Sequence, residues 1–150
     1  MLGRALISVY DKTGLDVFAR GLSDLGIEVV ASGGTAAYIA ELGVDVVPVE
    51  EITDVPELLG GRVKTLHPRI HAGILARRGR EADLDQLREQ GIGTFDLVCV
   101  NLYPFQSVTA RRNVREEDAV EMIDIGGPAL LRAAAKNFVD VVPVCDPARY

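Results

Sequence analysis

Cysteine and histidine are scarce, two of each in 150 residues, and the scarcity excludes much chemistry at once. Cys99 and Cys145 sit in the apolar runs LVCV and VPVCD, without metal-ligand spacing or a neighbouring cysteine, so neither a zinc module nor a disulfide scaffold is encoded. They read as buried thiols of a reducing compartment, and a cytoplasmic location is expected. No apolar run approaches the roughly 20 residues that cross a bilayer. The opening MLGRALISVYDK lacks the apolar segment and small-residue cleavage site of a secretory signal. Positive charge is also short. With 16 basic against 22 acidic residues the net charge is −6, which argues against a broad nucleic-acid surface but leaves room for local basic pockets. Repeats, low-complexity tracts and Ser/Gly linkers are missing too, so nothing divides the chain.

What remains is the composition of a globular domain: 48% hydrophobic and 25% charged residues exclude disorder, collagen and a coiled coil as the main state. A chain of this length buries roughly 68–70% of its unfolded surface and needs no metal or disulfide staple. Residues 1–150 are expected to form one domain.

Short β-branched runs alternate with segments of helical period. The runs are Ala5 to Val9, Glu28 to Ala31, Val46 to Val49, Leu97 to Leu102 and Val141 to Cys145, and they read as buried parallel strands. Leu15, Phe18, Leu22 and Leu25 predict a helix that Gly26 ends. Further helices are predicted over Thr35 to Leu42, Val55 to Leu59, Ile70 to Arg77, Leu84 to Gln90, Arg115 to Ile123 and Pro128 to Lys136, with Pro128 at the first helical position. The pattern implies an α/β three-layer sandwich on a mostly parallel sheet. Such sheets bind ligands beyond the carboxyl ends of their strands, where Asp11 and Lys12, Ser32 to Thr35, and Asn101 with Tyr103 should converge.

The Ser32-Gly33-Gly34-Thr35 segment joins a strand to a helix and suits a phosphate: two glycines allow close approach, two hydroxyls donate, and the helix N-terminus presents free N–H groups. It reads equally as a turn with Thr35 as N-cap. The densest motif is GGRVKTLHPRIHAG, Gly60 to Gly73, whose cations Arg62, Lys64 and Arg69 repel one another unless solvent or an anion compensates. Alternation in RVKT places Arg62 and Lys64 on one side of an extended strand. His67 and His71 have the spacing of a helical metal pair, but Pro68 and the lack of an acidic third ligand favour packing or hydrogen-bonding roles, and no metal is expected. Tyr103 in NLYPF is either an oxyanion donor or an aromatic lid on the core. Asp124 in DIGGP is either a helix cap or a site carboxylate, and Lys136 at the end of the same helix suits the dipole in any case.

Together SVYDKTG (Ser8 to Gly14), ASGGTA (Ala31 to Ala36), GGRVKTLHPRIHAGILAR (Gly60 to Arg77), NLYPF (Asn101 to Phe105) and IDIGGPALLRAAAKN (Ile123 to Asn137) resemble the cyclohydrolase domain of the bifunctional AICAR transformylase/IMP cyclohydrolase family. The resemblance runs from end to end and implies the methylglyoxal-synthase-like α/β fold. It implies ring closure of the formylated imidazole carboxamide ribonucleotide (FAICAR) to IMP with loss of water, without a cofactor. By motif, Lys136 would be proton donor and acceptor, Lys64 would stabilise the carboxamide, Tyr103 with backbone N–H groups near Gly126 and Gly127 would hold the formyl oxyanion, and Asp124 would orient or relay a proton. Lys12, Ser32, Gly33, Gly34 and Thr35 would hold the 5′-phosphate, Arg62, Thr65 and Asn101 would position base and ribose, and Val63 and Ile125 would also contact substrate. Tyr10 is a possible contact only. The family's C-terminal AICAR transformylase domain is not in this sequence, and a homodimer is possible. A methylglyoxal synthase-like enzyme and a non-catalytic nucleotide-binding regulatory module are the competing readings.

Overall fold

A computed structural model of the chain describes residues 3–150. Five strands form one sheet in the order β3-β2-β1-β4-β5: β1 Arg4–Val9, β2 Glu28–Ala31, β3 Val47–Pro48, β4 Leu97–Asn101 and β5 Val142–Val144. Every pairing is parallel, so the sheet is wholly rather than mostly parallel. Successive side chains of a strand face opposite ways, and the sequence uses both faces. Ala5, Ile7 and Val9 of β1 pack with Leu15, Ala19 and Leu22 of α1 (Leu15–Asp24) and Ile39 of α2 (Gly33–Glu41). Leu6 instead joins Ile70 and Ile74 of α4 (Pro68–Leu75) and Leu130, Ala133 and Ala134 of α8 (Gly126–Lys136). Each fully buried Leu or Ile contributes about 1.5–3 kcal/mol. The result is the expected three-layer α/β sandwich.

Several local expectations change. Leu25 lies past the end of α1 and is 72% exposed. No helix covers 55–58; α3 is Val49–Thr53, because Asp54 turns left-handed at φ 55 and Val55 precedes a proline, which disfavours helix. The RVKT segment is turn rather than extended strand, with Arg62 in the right-handed helical region. Three remaining helices are α5 (Glu81–Glu89), α6 (Phe105–Thr109) and α7 (Glu116–Glu121); α6, directly after Pro104, had no periodic signal. Helix α8 begins at Gly126, so Pro128 is its third residue, still within the first turn whose N–H groups lack intrahelical acceptors. Strand β5 is a largely exposed edge, not a buried strand, and Cys145 after it is exposed while Cys99 is buried.

Two buried polar groups fasten the amino-terminal edge of the sheet. Asp96 accepts from the N–H groups of Gly3 at 2.6 Å and Arg4 at 2.7 Å and pairs with Arg78 at 2.6 Å. Asn137 donates to the carbonyls of Ile74 at 2.8 Å and Ala76 at 3.0 Å, tying the end of α8 to the end of α4. At the opposite edge the chain order reverses between β1 and β4. Their loops diverge there and leave a crevice.

Candidate active site

A cavity of about 700 Å³ opens at this crevice, within the size range of small-molecule sites. Its walls come from the segments after β1 and β2, the 59–65 turn, the end of β4, and the stretch from Val120 to Gly127. All of Lys12, Ser32, Gly33, Gly34, Thr35, Arg62, Val63, Lys64, Thr65, Asn101, Tyr103, Asp124, Ile125, Gly126 and Gly127 line it. Lys136 does not. It is exposed at the far end of α8, ten residue steps and so about 15 Å from the helix start.

The β2–α2 turn divides its labour. Ser32, not Thr35, is the N-cap of α2; its hydroxyl makes no capping bond and instead meets Ser8 Oγ at 3.2 Å, beside the cavity. Thr35 is buried inside the helix, where its hydroxyl donates to the Val9 carbonyl at 3.0 Å and accepts from the Val9 N–H at 3.2 Å. Thr35 therefore locks α2 onto β1, leaving Ser32 and the leading N–H groups of α2 to face a ligand. Lys12 curls over the carbonyls of Val9 at 3.3 Å and Tyr10 at 3.4 Å and pairs with no carboxylate among the described residues.

Asn101 commits its amide to the same loop. Its Oδ1 accepts from the N–H groups of Tyr10 at 2.7 Å and Asp11 at 2.9 Å, while Nδ2 donates to the Asp11 carbonyl at 2.7 Å and the Tyr150 hydroxyl at 3.3 Å. Both donors and both acceptor sites are occupied, so this side chain shapes the loop carrying Lys12. Tyr150 also stacks on Phe18 with centroids 4.8 Å apart, and burial raises its phenol above the ordinary value. Burial likewise pushes the Cys99 thiol up to about 11, which keeps it an inert neutral group.

Across the cavity, the Asp124 carboxylate accepts from the Gly127 N–H at 2.8 Å. It engages a first-turn N–H of α8, whose N-cap residue is Ile125, and it lines the cavity. The Gly127 N–H is thereby engaged. Thr65, 5% exposed, brings its hydroxyl against Gly126, where a Cβ would stand 2.7 Å from it. Tyr103 and Tyr10 meet edge to face with centroids 5.5 Å apart at the mouth. Tyr103 is 44% exposed, which fits a rim residue better than a lid on the core.

Two of the three cations of the basic segment are paired within the chain, through residues that sequence reasoning missed. Arg62 pairs with Glu121 of α7, a hydrogen bond that raises the guanidinium pKa, and Lys64 pairs with Glu57 at 2.7 Å. The available signal was the carboxylates on either side of the motif, in VPELLGG and EEDAVE. The histidines serve the backbone: His67 Nδ1 caps α4 by accepting from the Arg69 N–H at 3.2 Å, and His71 Nδ1 lies 3.3 Å from the His67 carbonyl.

Comparison with known proteins agrees with this architecture. The family model described as MGS-like domain matches residues 14–129. Bifunctional purine biosynthesis proteins PurH are similar over the whole chain or nearly so. The protein of Oceanobacillus iheyensis is 53% identical over 150 residues, covering 100% of this chain. That of Bacillus subtilis is 53% identical over 147 residues, and that of Lacticaseibacillus paracasei 57% identical over 147 residues, each covering 98% of it. In each case the chain spans 29% of the relative's length, at the N-terminal end. The crystal structure of ForH superposes with a TM-score of 0.87 at 41% identity, covering 100% of this chain and 76% of that one. The chain belongs to the MGS-like domain family, in the form found at the N-terminus of bifunctional purine biosynthesis proteins.

Proposed function

We propose that the cavity is an IMP cyclohydrolase site, closing FAICAR to IMP with loss of water. The observation that carries the proposal is the meeting, in one cavity, of a helix N-terminus suited to phosphate, a lysine, a phenol and a capped carboxylate. Sequence identity of 50–57% to PurH relatives supports it.

The reaction sets physical requirements. The carboxamide nitrogen is a poor nucleophile and must lose a proton as it attacks the formyl carbon. The formyl oxygen becomes an oxyanion and must be protonated to leave as water. Positioning, proton transfer and oxyanion stabilisation suffice; no redox or metal chemistry is called for. In this scheme Lys12, Ser32 and the N–H groups of Gly33 and Gly34 hold the 5′-phosphate, with Thr35 and Asn101 fixing the two loops that carry them. Arg62, Val63, Thr65 and Ile125 border the base and ribose. Lys64 meets the carboxamide oxygen and stabilises its charge as the nitrogen is deprotonated. Asp124 has an oxygen beyond its bond to Gly127 with which to take that proton and pass it to the formyl oxygen; the second proton of the departing water is the one the formamido nitrogen loses as the ring C=N bond forms. Tyr103 and the Gly126 N–H face the formyl oxygen. Lys136, outside the cavity of its own chain, receives no direct proton transfer within that chain.

Methylglyoxal synthase chemistry would also need a phosphate site, but the RVKTLHP motif supplies a base-and-ribose wall that a small triose phosphate does not use. The domain works in the cytoplasm, as a homodimer, beside a folate-dependent transformylase domain such as the remaining 71% of the relatives would provide. FAICAR conversion to IMP, followed by ultraviolet absorbance without folate or added metal, tests the reading. Activity in the wild type that falls about a hundredfold in Asp124→Asn supports it. Methylglyoxal formation from dihydroxyacetone phosphate, or tight nucleotide binding without turnover, contradicts it.

A further inference from the structure

The Lys64 side chain runs through a gap between two backbones. At Gly61, φ +91, a Cβ would stand 2.8 Å from Lys64 Cε and 3.0 Å from Glu57 Oε1. At Gly33, φ +48, a Cβ would collide with Lys64 Nζ. The two glycines therefore leave the volume that the lysine fills, one on each side. Lys64, together with Val63, borders both the main cavity and a small one of about 30 Å³, which Glu57 and His67 also line. Glu57 borders only the small cavity, so it meets the ammonium from behind.

The backbone between the two residues is bent to permit this. Leu59, Gly60 and Gly61 hold φ of 52, 62 and 91 in succession. A left-handed leucine is disfavoured by contact of its Cβ with the backbone, and such conformations persist where the surrounding structure over-determines them. Lys64 is half-buried, but Glu57 is 45% exposed, and an ion pair open to solvent on one side adds little to stability, so stability alone gives no reason for the arrangement. Aiming a charge does. Misplacing a catalytic group by about 1 Å can cost a hundredfold in rate.

We infer that Glu57 is a positioning residue, fixing the Lys64 ammonium in the gap between Gly33 and Gly61 so that the cavity presents it already oriented to substrate. The inference rests on the cyclohydrolase reading for its kinetic consequence but not for its structural one, and two measurements keep them apart. The chain contains three lysines, Lys12, Lys64 and Lys136, so protein labelled at lysine 13Cε gives three side-chain signals, assigned with Lys64→Arg. Glu57→Ala should move the Lys64 signal and leave the Lys136 signal in place. In FAICAR turnover, Glu57→Ala should lower kcat about thirtyfold with KM changed less than about threefold. Glu57→Gln, whose amide oxygen still accepts from Nζ, should recover most of that loss; Glu57→Ser, too short to reach Nζ, serves in place of Glu57→Ala if the latter fails to fold. An unmoved Lys64 signal overturns the inference, as does a moved signal with kcat unchanged. A wild type that turns over no FAICAR refutes the cyclohydrolase reading instead, and the spectrum still decides whether Glu57 places Lys64.

Discussion

Gly33 and Gly34 are adjacent and look equivalent in the sequence, yet the structure predicts opposite outcomes for alanine. Gly33 sits at φ +48, where a Cβ costs about 1–2 kcal/mol, and that Cβ would occupy the position of Lys64 Nζ. Gly34 has ordinary φ and open space within 4 Å of where an alanine methyl would stand, so alanine there gains about 0.4–1 kcal/mol from reduced freedom of the unfolded chain. At this chain length 1 kcal/mol corresponds to about 2–4 °C in Tm. Gly33→Ala should therefore lower Tm by about 2–8 °C and Gly34→Ala raise it by about 1–4 °C. Displacing Lys64 should also cost Gly33→Ala about a hundredfold in kcat for FAICAR turnover, whereas Gly34→Ala leaves Lys64 in place and acts on KM, since Gly34 lines the phosphate end of the cavity. Thermal unfolding by circular dichroism and the absorbance assay read both effects. Two variants that behave alike in both would refute the placement of Lys64 against Gly33.

Groups at the two edges of the sheet give three further expectations. Burial pushes the Asp96 carboxyl up, but the N–H groups of Arg4 and Gly3 and the Arg78 guanidinium outweigh it and hold its pKa below the ordinary value. Its stabilisation is thus present above the unfolded pKa of about 3.9 and lost as pH falls through the lower folded value. Asp96→Asn should cost about 3 kcal/mol at pH 7, seen as a Tm lower by about 6–12 °C, with the gap to wild type closing in acid; a pH-independent gap would contradict it. Asn101→Ala should weaken IMP binding about tenfold by calorimetry, because it frees the loop that carries Lys12. Asn137→Ala leaves the carbonyls of Ile74 and Ala76 unpaired and should cost about 2–3 kcal/mol in denaturant melts, while turnover at low temperature stays close to wild type.

The strands and the cavity wall were legible because each rests on a local signal. Runs such as ALISV and LVCV are apolar on both sides, as a two-faced parallel sheet requires, and the loops after them carry the polar residues that meet at the crevice. What escaped the sequence depends on contacts distant along the chain. Thr35 reads as a phosphate ligand in its motif, but its hydroxyl is held by Val9, 26 residues away. Asn101 was expected to touch substrate, but its partners lie 90 residues back in the β1–α1 loop. Charge patterning showed that the 60–73 segment needed solvent or an anion to compensate it, yet not that Glu57 and Glu121 would pair with Lys64 and Arg62. Lys136 shows the converse: its motif is intact, while helix geometry carries it to the other edge of the sheet. The edge position of β5 was hidden because VVPVC reads as apolar whether or not a neighbour covers it.

The decisive measurement is FAICAR turnover by the wild type and by Lys64→Met, with IMP affinity measured on both. Wild-type conversion without folate or added metal, reduced about a hundredfold or more in kcat by Lys64→Met while IMP still binds, is the predicted result. Equal turnover in the two proteins, or a wild type that neither binds IMP nor consumes FAICAR, would contradict the assignment of this cavity.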